Sequence, residues 1–531
     1  MLTSKLAVFT QGVSQLMEGS LFFRGITAGM DWIVKLSQGS FIVGLFTGDD
    51  APQKSSLERS FIVRLADKLL NGIPKPIRLP ARWPESLSML SSGSWFIRTS
   101  TDRLETPIPP PVPNTGASMV LAWGAFALPI WALLAVVIAL PILPTMMLGA
   151  ALVPVFLFTL LSRRFVLDGT AVFLLLFITI TLVTGVMSVA PAASIPIAVL
   201  TSVFMLSALL VGACCKTRES VDIFICGFII AAAIAGVVGI FHVVSGHTTT
   251  EWLDTGFMGV IGLRLYSTFG NPNAYGTYLL LAIPLAAAAI VYVKSIFLKI
   301  CATGIAGMLL VSLLATYSRG CYVSLAFGIG IFVLLIKKQL VVLFVPVLLV
   351  VPFLLPASVV ARIISIFDMG DTSTMFRLNI YRGSLRMLAD FWPVGVGQGE
   401  VAFNRVYIYY SLGAIITPHS HNLFLQIFIQ TGIAGFLVFI GVLACFFRAQ
   451  ANFLRRVTEF RLRVMSAAMI AAVSGFLLQG MFDYAFYNYR VMLTFFLFIG
   501  ISLAFTRVAA PGYVAEAAAP KASHWVKGYY D

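Results

Sequence analysis

The sequence contains few charged residues for its length. Only 11% of its 531 residues are Asp, Glu, Lys or Arg, whereas about a quarter is usual in soluble globular proteins. Hydrophobic residues make up 59% of the chain and the mean hydropathy is +0.94, more apolar surface than soluble domains can bury. This composition excludes a soluble enzyme and a disordered chain, and it predicts that lipid surrounds most of the protein.

Several signatures of common functional classes are also missing. The six cysteines form no Cys-x-x-Cys pair, which excludes a disulfide framework and the usual cysteine metal sites. No Gly-Lys dipeptide occurs, so there is no P-loop, and no Asp-x-Asp motif supports a metal-dependent nucleotide-sugar site. The first thirty residues lack the continuous apolar core of a targeting peptide. We assign the net charge of +14 to cytoplasmic loops and expect no nucleic-acid partner.

Long apolar runs dominate what is present. Between residues 118 and 506 we count about twelve runs of roughly 16 to 25 residues, the length that a helix needs to cross a bilayer. They lie near 119–138, 144–161, 171–189, 196–213, 223–243, 276–292, 300–316, 321–336, 339–356, 422–447, 464–482 and 491–506. Pro141 and Pro144 favour two helices over one long kinked helix at the start of this series. The pattern predicts an all-α polytopic membrane protein with about twelve transmembrane helices.

The regions on either side of this membrane domain are more polar. Residues 1–117 are predicted to be a cytoplasmic N-terminal region, in which Ser55 and Glu58 form a capping box at the start of an amphipathic helix. That helix either lies on the anionic inner leaflet or packs in a small helical hairpin. The proline-rich segment 106–113 predicts a stiff linker, and residues 507–531 a short cytoplasmic tail.

The distribution of basic residues predicts the orientation. Placing both termini in the cytoplasm puts 28 of the 36 Lys and Arg residues, including every lysine, on the inner side. The outer side then carries only arginines: Arg264, Arg319, Arg362, Arg377, Arg382, Arg386, Arg405 and Arg490. The planar guanidinium suits bidentate binding of phosphate, so we expect the outer face to hold an anion.

Two long outer loops are predicted, at 244–275 and 357–421. In the second loop, one helical stripe over 375–392 contains apolar and aromatic residues, bordered by Arg377 and Arg382. The stripe consists of Leu378, Tyr381, Leu385, Leu388 and Trp392. It predicts a helix at the outer membrane surface, the alternative being a packed extracellular helix. The glycines of 393–399 favour a tight turn over a dinucleotide fingerprint, because no strand–helix unit surrounds them.

Two histidines close the large loop in the sequence His419-Ser-His421-Asn422. A His-x-His pair can bind metal, but no further Cys/His cluster accompanies it, so we favour His421 as a base beside the arginines. A merely interfacial histidine is the alternative. We expect His419 to point elsewhere. Arg319 lies so near hydrocarbon that it needs an anionic partner, and Asp483 either supplies that partner or orients His421.

The order of these motifs resembles that of the O-antigen ligase and polymerase superfamily, over roughly residues 170–505. The motifs are Arg264…Phe269-Gly-Asn-Pro-Asn273, Ser318-Arg-Gly320, Arg377 with Tyr381, Pro393-Val-Gly-Val-Gly397 and His421-Asn422…Leu425-Gln426…Gly432…Gly435. The N-terminal 117 residues have no counterpart in the familiar ligases.

The resemblance implies a membrane glycosyltransferase of the C type, which is inverting and needs neither metal nor another cofactor. It implies a polyprenyl-diphosphate-linked glycan as donor, and a glycan, glycolipid or cell-wall hydroxyl as acceptor, on the outer face of the cytoplasmic membrane. The essential histidine of the family maps to His421, and its essential arginines map to Arg319 and Arg377. We expect the substrate-binding residues to be Arg264, Asn273, Arg382, Asn422 and Asp483.

Three alternatives to a ligase remain, of which a non-catalytic membrane scaffold is the least favoured. A polymerase of the same superfamily uses the same donor and differs in the acceptor. A polysaccharide or lipid transporter is less favoured, because proton-coupled carriers usually need ionisable groups within their spans, and the predicted spans contain no Asp, Glu, Lys or Arg.

Overall fold

The computed structural model describes residues 130–161, 168–246, 264–337, 339, 357–364, 372–413 and 415–510. Within these ranges the chain is helical and contains no strand. The capping-box helix, the proline-rich segment and the apolar run after residue 339 lie outside the described residues, as does most of the C-terminal tail. The proposed division into three regions therefore stays a prediction.

Fourteen α-helices follow one another in the described residues. They are α1 (Ile130–Ala139), α2 (Thr145–Leu161), α3 (Gly169–Val186), α4 (Pro191–Cys214), α5 (Arg218–Val244), α6 (Pro272–Tyr292), α7 (Ile296–Ala315), α8 (Arg319–Lys337), α9 (Ala357–Ile364), α10 (Thr372–Phe391), α11 (Gly399–Tyr407), α12 (Leu423–Arg456), α13 (Phe460–Phe482) and α14 (Tyr489–Val508).

Nine of these helices are long and apolar enough to cross a membrane: α3 to α8 and α12 to α14. They confirm nine of the predicted runs, and the protein is a multi-pass membrane protein. The first two runs correspond to the shorter apolar helices α1 and α2, which are separate as the two prolines predicted.

The middle of the bundle is formed by α6, α13 and α14, in which 78%, 78% and 83% of the most apolar window is buried, against 22% in α7 and α8. Small residues allow the close approach that packing in lipid requires. A Cβ on Gly328 of α8 would lie 2.9 Å from the backbone oxygen of Ala471 in α13, and one on Gly475 would lie 2.9 Å from that of Ser324. Large apolar side chains such as Phe241 and Phe297 are exposed instead, as expected of surfaces that face lipid.

Asparagine begins three helices at the end of the bundle that carries the site. The side chains of Asn271, Asn422 and Asn488 accept backbone N–H groups in the first turn of α6, α12 and α14. Pro272 follows directly at the first position of α6, where its missing N–H costs no hydrogen bond. These caps fix where each helix starts, and so they position the neighbouring site residues.

Helix α12 is broken at Gly432, whose φ of 64° and ψ of −172° are not helical. The turn 392–397 of the predicted outer loop supplies hydrogen bonds that the break removes. Ile433 N donates to Trp392 O (2.8 Å), and Val396 N donates to Ile429 O (2.8 Å). Gly395 has a positive φ and lies against this break. Irregular backbone at membrane depth is tolerated where protein covers it, and here the predicted tight turn provides the cover.

Helices α10 and α11 of the predicted outer loop pack on the first part of α12 through a small apolar core. It consists of Ile380, Met387, Val396, Phe403, Val406, Tyr407 and Ile429. The helix predicted within 375–392 is therefore present as α10. Its apolar stripe is largely exposed, with Leu385 at 57% and Trp392 at 51%, whereas Ile380 and Met387 form the packed side. Contact of the stripe with the membrane stays a prediction.

Candidate functional site

The candidate site lies where five segments meet at one end of the bundle. They are residues 264–273 leading into α6, residues 316–319 leading from α7 into α8, helix α10, the segment 417–422 before α12 and the connection 483–488 between α13 and α14. Hydrogen bonds link these segments directly, as when Asn488 Nδ2 donates to Phe269 O (2.8 Å). The motifs that are far apart in sequence are therefore neighbours in space.

His421 and Asp483 form the centre of this site. Asp483 directly follows α13, and its Oδ1 lies 3.2 Å from His421 Nδ1 and accepts a hydrogen bond from Tyr484 N (2.9 Å). Burial opposes ionisation of the carboxyl, but the hydrogen bond from His421 and the charge of Arg377 outweigh it, so the pKa of Asp483 lies well below its usual range. Of the two partners considered for Asp483, the structure brings it to His421.

The backbone of His421 is held in a conformation that most residues avoid. Its φ of 51° is left-handed, which is uncommon for a residue other than glycine and persists only where surrounding contacts enforce it. Tyr381 Oη donates to His421 O (3.0 Å), and Asn422 Nδ2 donates to Met481 O (3.0 Å). Burial raises the pKa of Tyr381 to about 12, so its hydroxyl remains a donor at neutral pH.

His419 does not point away from His421, contrary to the expectation from sequence. The two rings lie 4.4 Å apart in a T-shaped arrangement, and His421 N donates to His419 Nδ1 (3.3 Å). The left-handed φ of His421 turns the chain back and brings the rings together. His419 is buried against Tyr487, and this burial, together with the charge of His421, lowers the pKa of His419 to about 4.

The arginines approach the site from two sides. Arg264 Nε donates to Thr316 O (2.9 Å) and its Nη2 donates to Asn273 Oδ1 (3.3 Å). Arg319 begins α8, three residues after that carbonyl. On the other side, Arg377 is half-buried on α10, one helical turn before Tyr381, and its charge acts on both Asp483 and His419.

Comparison with known proteins gives one match. A family model described as O-antigen ligase matches residues 304–440. Over this stretch, from α7 to the first part of α12, the chain is similar to the O-antigen ligase family. No curated protein matches the sequence. The matched region contains Arg319, Arg377 and His421. Asp483 and Arg264 lie outside it and reach it only in the folded chain, Asp483 at His421 and Arg264 at Thr316 O.

The structure places the two remaining expected site residues, Arg382 and Asn422, differently. Arg382 lies on the exposed side of α10, because five residues along a helix turn its side chain well away from Arg377. In the sequence, Arg377 and Arg382 lie on either side of the apolar stripe of α10, and nothing indicated which of the two would lie near His421. Asn422 is present at the site, where its side chain caps α12 and bonds to Met481 O.

Two residues at the site were not selected from sequence. Arg362 on α9 is buried, with 6% of its surface exposed, and its Nε donates to Tyr317 O (3.1 Å), next to the carbonyl that Arg264 binds. The only feature of the sequence that pointed to Arg362 was its inclusion among the eight arginines predicted on the outer side. Tyr381 belongs to a superfamily motif, but no pattern in the sequence indicates that its hydroxyl holds His421 O.

The side chains of His419, His421 and Asp483 also have the composition of a metal site. One potential ligand atom from each lies within 4.8 Å of the others. The sequence contains no further Cys/His cluster beside the two histidines, but in the folded chain the Asp483 carboxylate at the end of α13 joins them. Resident metal therefore has to be tested by experiment.

Proposed function

We propose that the protein transfers a glycan from a polyprenyl-diphosphate donor to an acceptor hydroxyl on the outer face of the cytoplasmic membrane. The observation that carries this proposal is the pair formed by His421 Nδ1 and Asp483 Oδ1, 3.2 Å apart at a bundle end that is rich in arginine. A base and an anion-binding surface side by side are what glycosyl transfer from a diphosphate needs.

His421 acts as the general base in this proposal. Because Asp483 is ionised, their hydrogen bond is best satisfied when His421 Nδ1 carries the proton, which leaves Nε2 with a free lone pair. Nε2 removes the proton of the acceptor hydroxyl while the acceptor oxygen attacks the anomeric carbon. The bond from that carbon to the diphosphate oxygen breaks, and attack opposite the leaving group inverts the configuration.

Arg319 and Arg377 neutralise the leaving diphosphate in this proposal. The departing group gains negative charge as the glycosidic bond breaks, and guanidinium groups placed in advance stabilise that charge most in the transition state. Arg264 and Asn273, which hold each other at 3.3 Å, support the donor from the side of α6. No step in this scheme requires a metal ion.

A transfer assay with product analysis tests the proposal. The purified full-length protein is incubated with a polyprenyl-diphosphate glycan and with separate acceptors: a glycolipid, a second lipid-linked glycan and a cell-wall fragment. We expect free polyprenyl diphosphate to be released in proportion to the lengthened acceptor, and the acceptor that works distinguishes a ligase from a polymerase. Movement of intact donor across a vesicle membrane without release would contradict transfer and support transport.

A further inference from the structure

We propose that His419, His421 and Asp483 bind a Zn²⁺ ion that inhibits the enzyme. The ligand atoms of the three side chains already lie within 4.8 Å of one another, and two of them are 3.2 Å apart. Inhibition rests on the proposed function, because it requires that His421 be the base, whereas binding of the ion does not.

The ligand set and its spacing fit zinc. Two imidazoles and one carboxylate, with water in the fourth position, are a common zinc environment, and bonds of about 2.0 to 2.1 Å place tetrahedral ligand atoms about 3.3 Å apart. His421 Nδ1 and Asp483 Oδ1 are at that separation. The third ligand atom needs to move by less than about 2 Å, which rotation of the His419 ring provides.

Neighbouring groups hold the three ligands in place. Tyr484 N donates to Asp483 Oδ1 (2.9 Å), and the ring of Tyr487 stacks on His419 with centroids 4.9 Å apart. Such outer contacts orient metal ligands and strengthen binding. The hydrogen bond from His421 N to His419 Nδ1 is long, at 3.3 Å. This hydrogen bond is kept if the ion binds Nε2 of His419. If the ion binds Nδ1 of His419, the bond to the ion takes its place.

The ion can reach the ligands from the side of His421, whose side chain is 22% exposed while that of Asp483 is 6% exposed.

The chemistry of the ligands also selects among ions. Mg²⁺ and Ca²⁺ prefer six or more oxygen ligands, whereas imidazole favours Zn²⁺ and Co²⁺. We therefore expect Zn²⁺ and Co²⁺ to bind and Mg²⁺ to have no effect.

A bound ion removes the base and the group that orients it at the same time. When the ion takes the place of the proton on His421 Nδ1, the one N–H of the neutral ring lies on Nε2, so Nε2 has no lone pair for the acceptor proton, and the Asp483 carboxylate is neutralised. The donor arginines are not among the ligands, so the ion should slow transfer while leaving donor binding intact.

Co²⁺ spectroscopy tests binding without any need for activity. Full-length protein in detergent is titrated with Co²⁺, and we expect the visible absorption bands of a tetrahedral site, which Zn²⁺ should displace. His419→Gln should abolish these bands. His242→Gln, which removes a histidine at the end of α5, should leave them unchanged. Absence of the bands in the wild-type protein, or their survival in His419→Gln, would overturn the proposed site.

Transfer assays then test inhibition. Zn²⁺ should inhibit the wild-type enzyme and EDTA should reverse this, whereas His419→Gln should retain most activity and need at least about tenfold more Zn²⁺, the effect typical of a lost ligand contact. Activation by Zn²⁺, or equal inhibition of both proteins, would contradict the proposal. Cobalt binding in a protein that transfers no glycan would retain the metal site and refute the proposed function. Glycan transfer that Zn²⁺ does not affect would support the proposed function and refute the inhibitory metal site.

Discussion

Replacing Gly432 with alanine tests how the outer loop and the broken helix α12 hold each other. The φ of 64° and ψ of −172° at Gly432 lie in a region that is open essentially to glycine alone. An added Cβ would lie 2.5 Å from Pro393 O and 2.7 Å from Val394 C. Both neighbours are backbone atoms, so no flexible side chain can move aside.

The structure sets the size of the expected effect. The backbone conformation costs alanine about 1 to 3 kcal/mol. Relief of the clash requires separation of the turn from α12, which breaks the bonds from Ile433 N to Trp392 O and from Val396 N to Ile429 O. Each contributes about 1 kcal/mol, and more if its partner is left buried and unpaired. We expect the free energy of unfolding to fall by about 3 to 6 kcal/mol.

Thermal unfolding in detergent measures this loss, with two matched controls. Gly413 has a φ of 72° but open space around its Cα, so Gly413→Ala reports the conformational cost alone. Gly304 lies within α7, also in open space, and alanine there should be neutral or stabilising by up to about 1 kcal/mol. If Gly432→Ala unfolds no more easily than Gly413→Ala, the turn does not hold the break in α12.

Four further predictions concern the site and the topology. Arg319→Lys and Arg377→Lys keep the charge but lose the bidentate fork, so transfer should fall at least about tenfold while Arg405→Lys stays near wild type; equal behaviour of all three would refute the diphosphate clamp. Full turnover should persist in excess EDTA, and loss of activity that a divalent ion restores would show a resident catalytic metal. Because the pKa of His419 is lowered to about 4 from an ordinary 6.5, the unfolded chain takes up the proton first, so the free energy of unfolding should fall by up to about 3 kcal/mol as the pH drops from 7 to 4. Thermal unfolding with EDTA present should show that His419→Gln has a weaker pH dependence, and an unchanged dependence would contradict this. A membrane-impermeant thiol reagent should label a cysteine at position 405 in intact cells but not one at 456, and the reverse would overturn the orientation.

The positions of nine long helices could be predicted because they depend on local properties. The length of an apolar run decides whether a helix can cross the bilayer, and nine of the predicted runs are such helices. The break between α1 and α2 was equally local, since two prolines mark it. The break at Gly432 could not be predicted from local sequence. A glycine permits that conformation without requiring it, and only contact with the turn 392–397 selects it.

The chemical types of the site residues could be predicted from the sequence, but most of the contacts between them could not. Asp483 was recognised as a candidate carboxylate, but only the end of α13 decides that it meets His421. The expected direction of His419 was wrong because His421 has a left-handed φ. The bond from Tyr381 to His421 O joins residues 40 positions apart, a contact that local spacing does not reveal. The role of Arg382 in substrate binding stays a prediction, because periodicity defines the faces of a helix but does not say which face meets the rest of the protein.

The central claim is that His421, oriented by Asp483, removes the proton from the acceptor. The most direct test measures the single-turnover rate of transfer at saturating donor, together with the donor dissociation constant, in His421→Ala. We predict that the rate falls by about 100- to 10,000-fold, the usual contribution of a general base, with donor binding unchanged and with His419→Ala retaining most activity. A His421→Ala enzyme that transfers glycan at the wild-type rate would contradict the claim, because acceptor activation would then need no base from the protein.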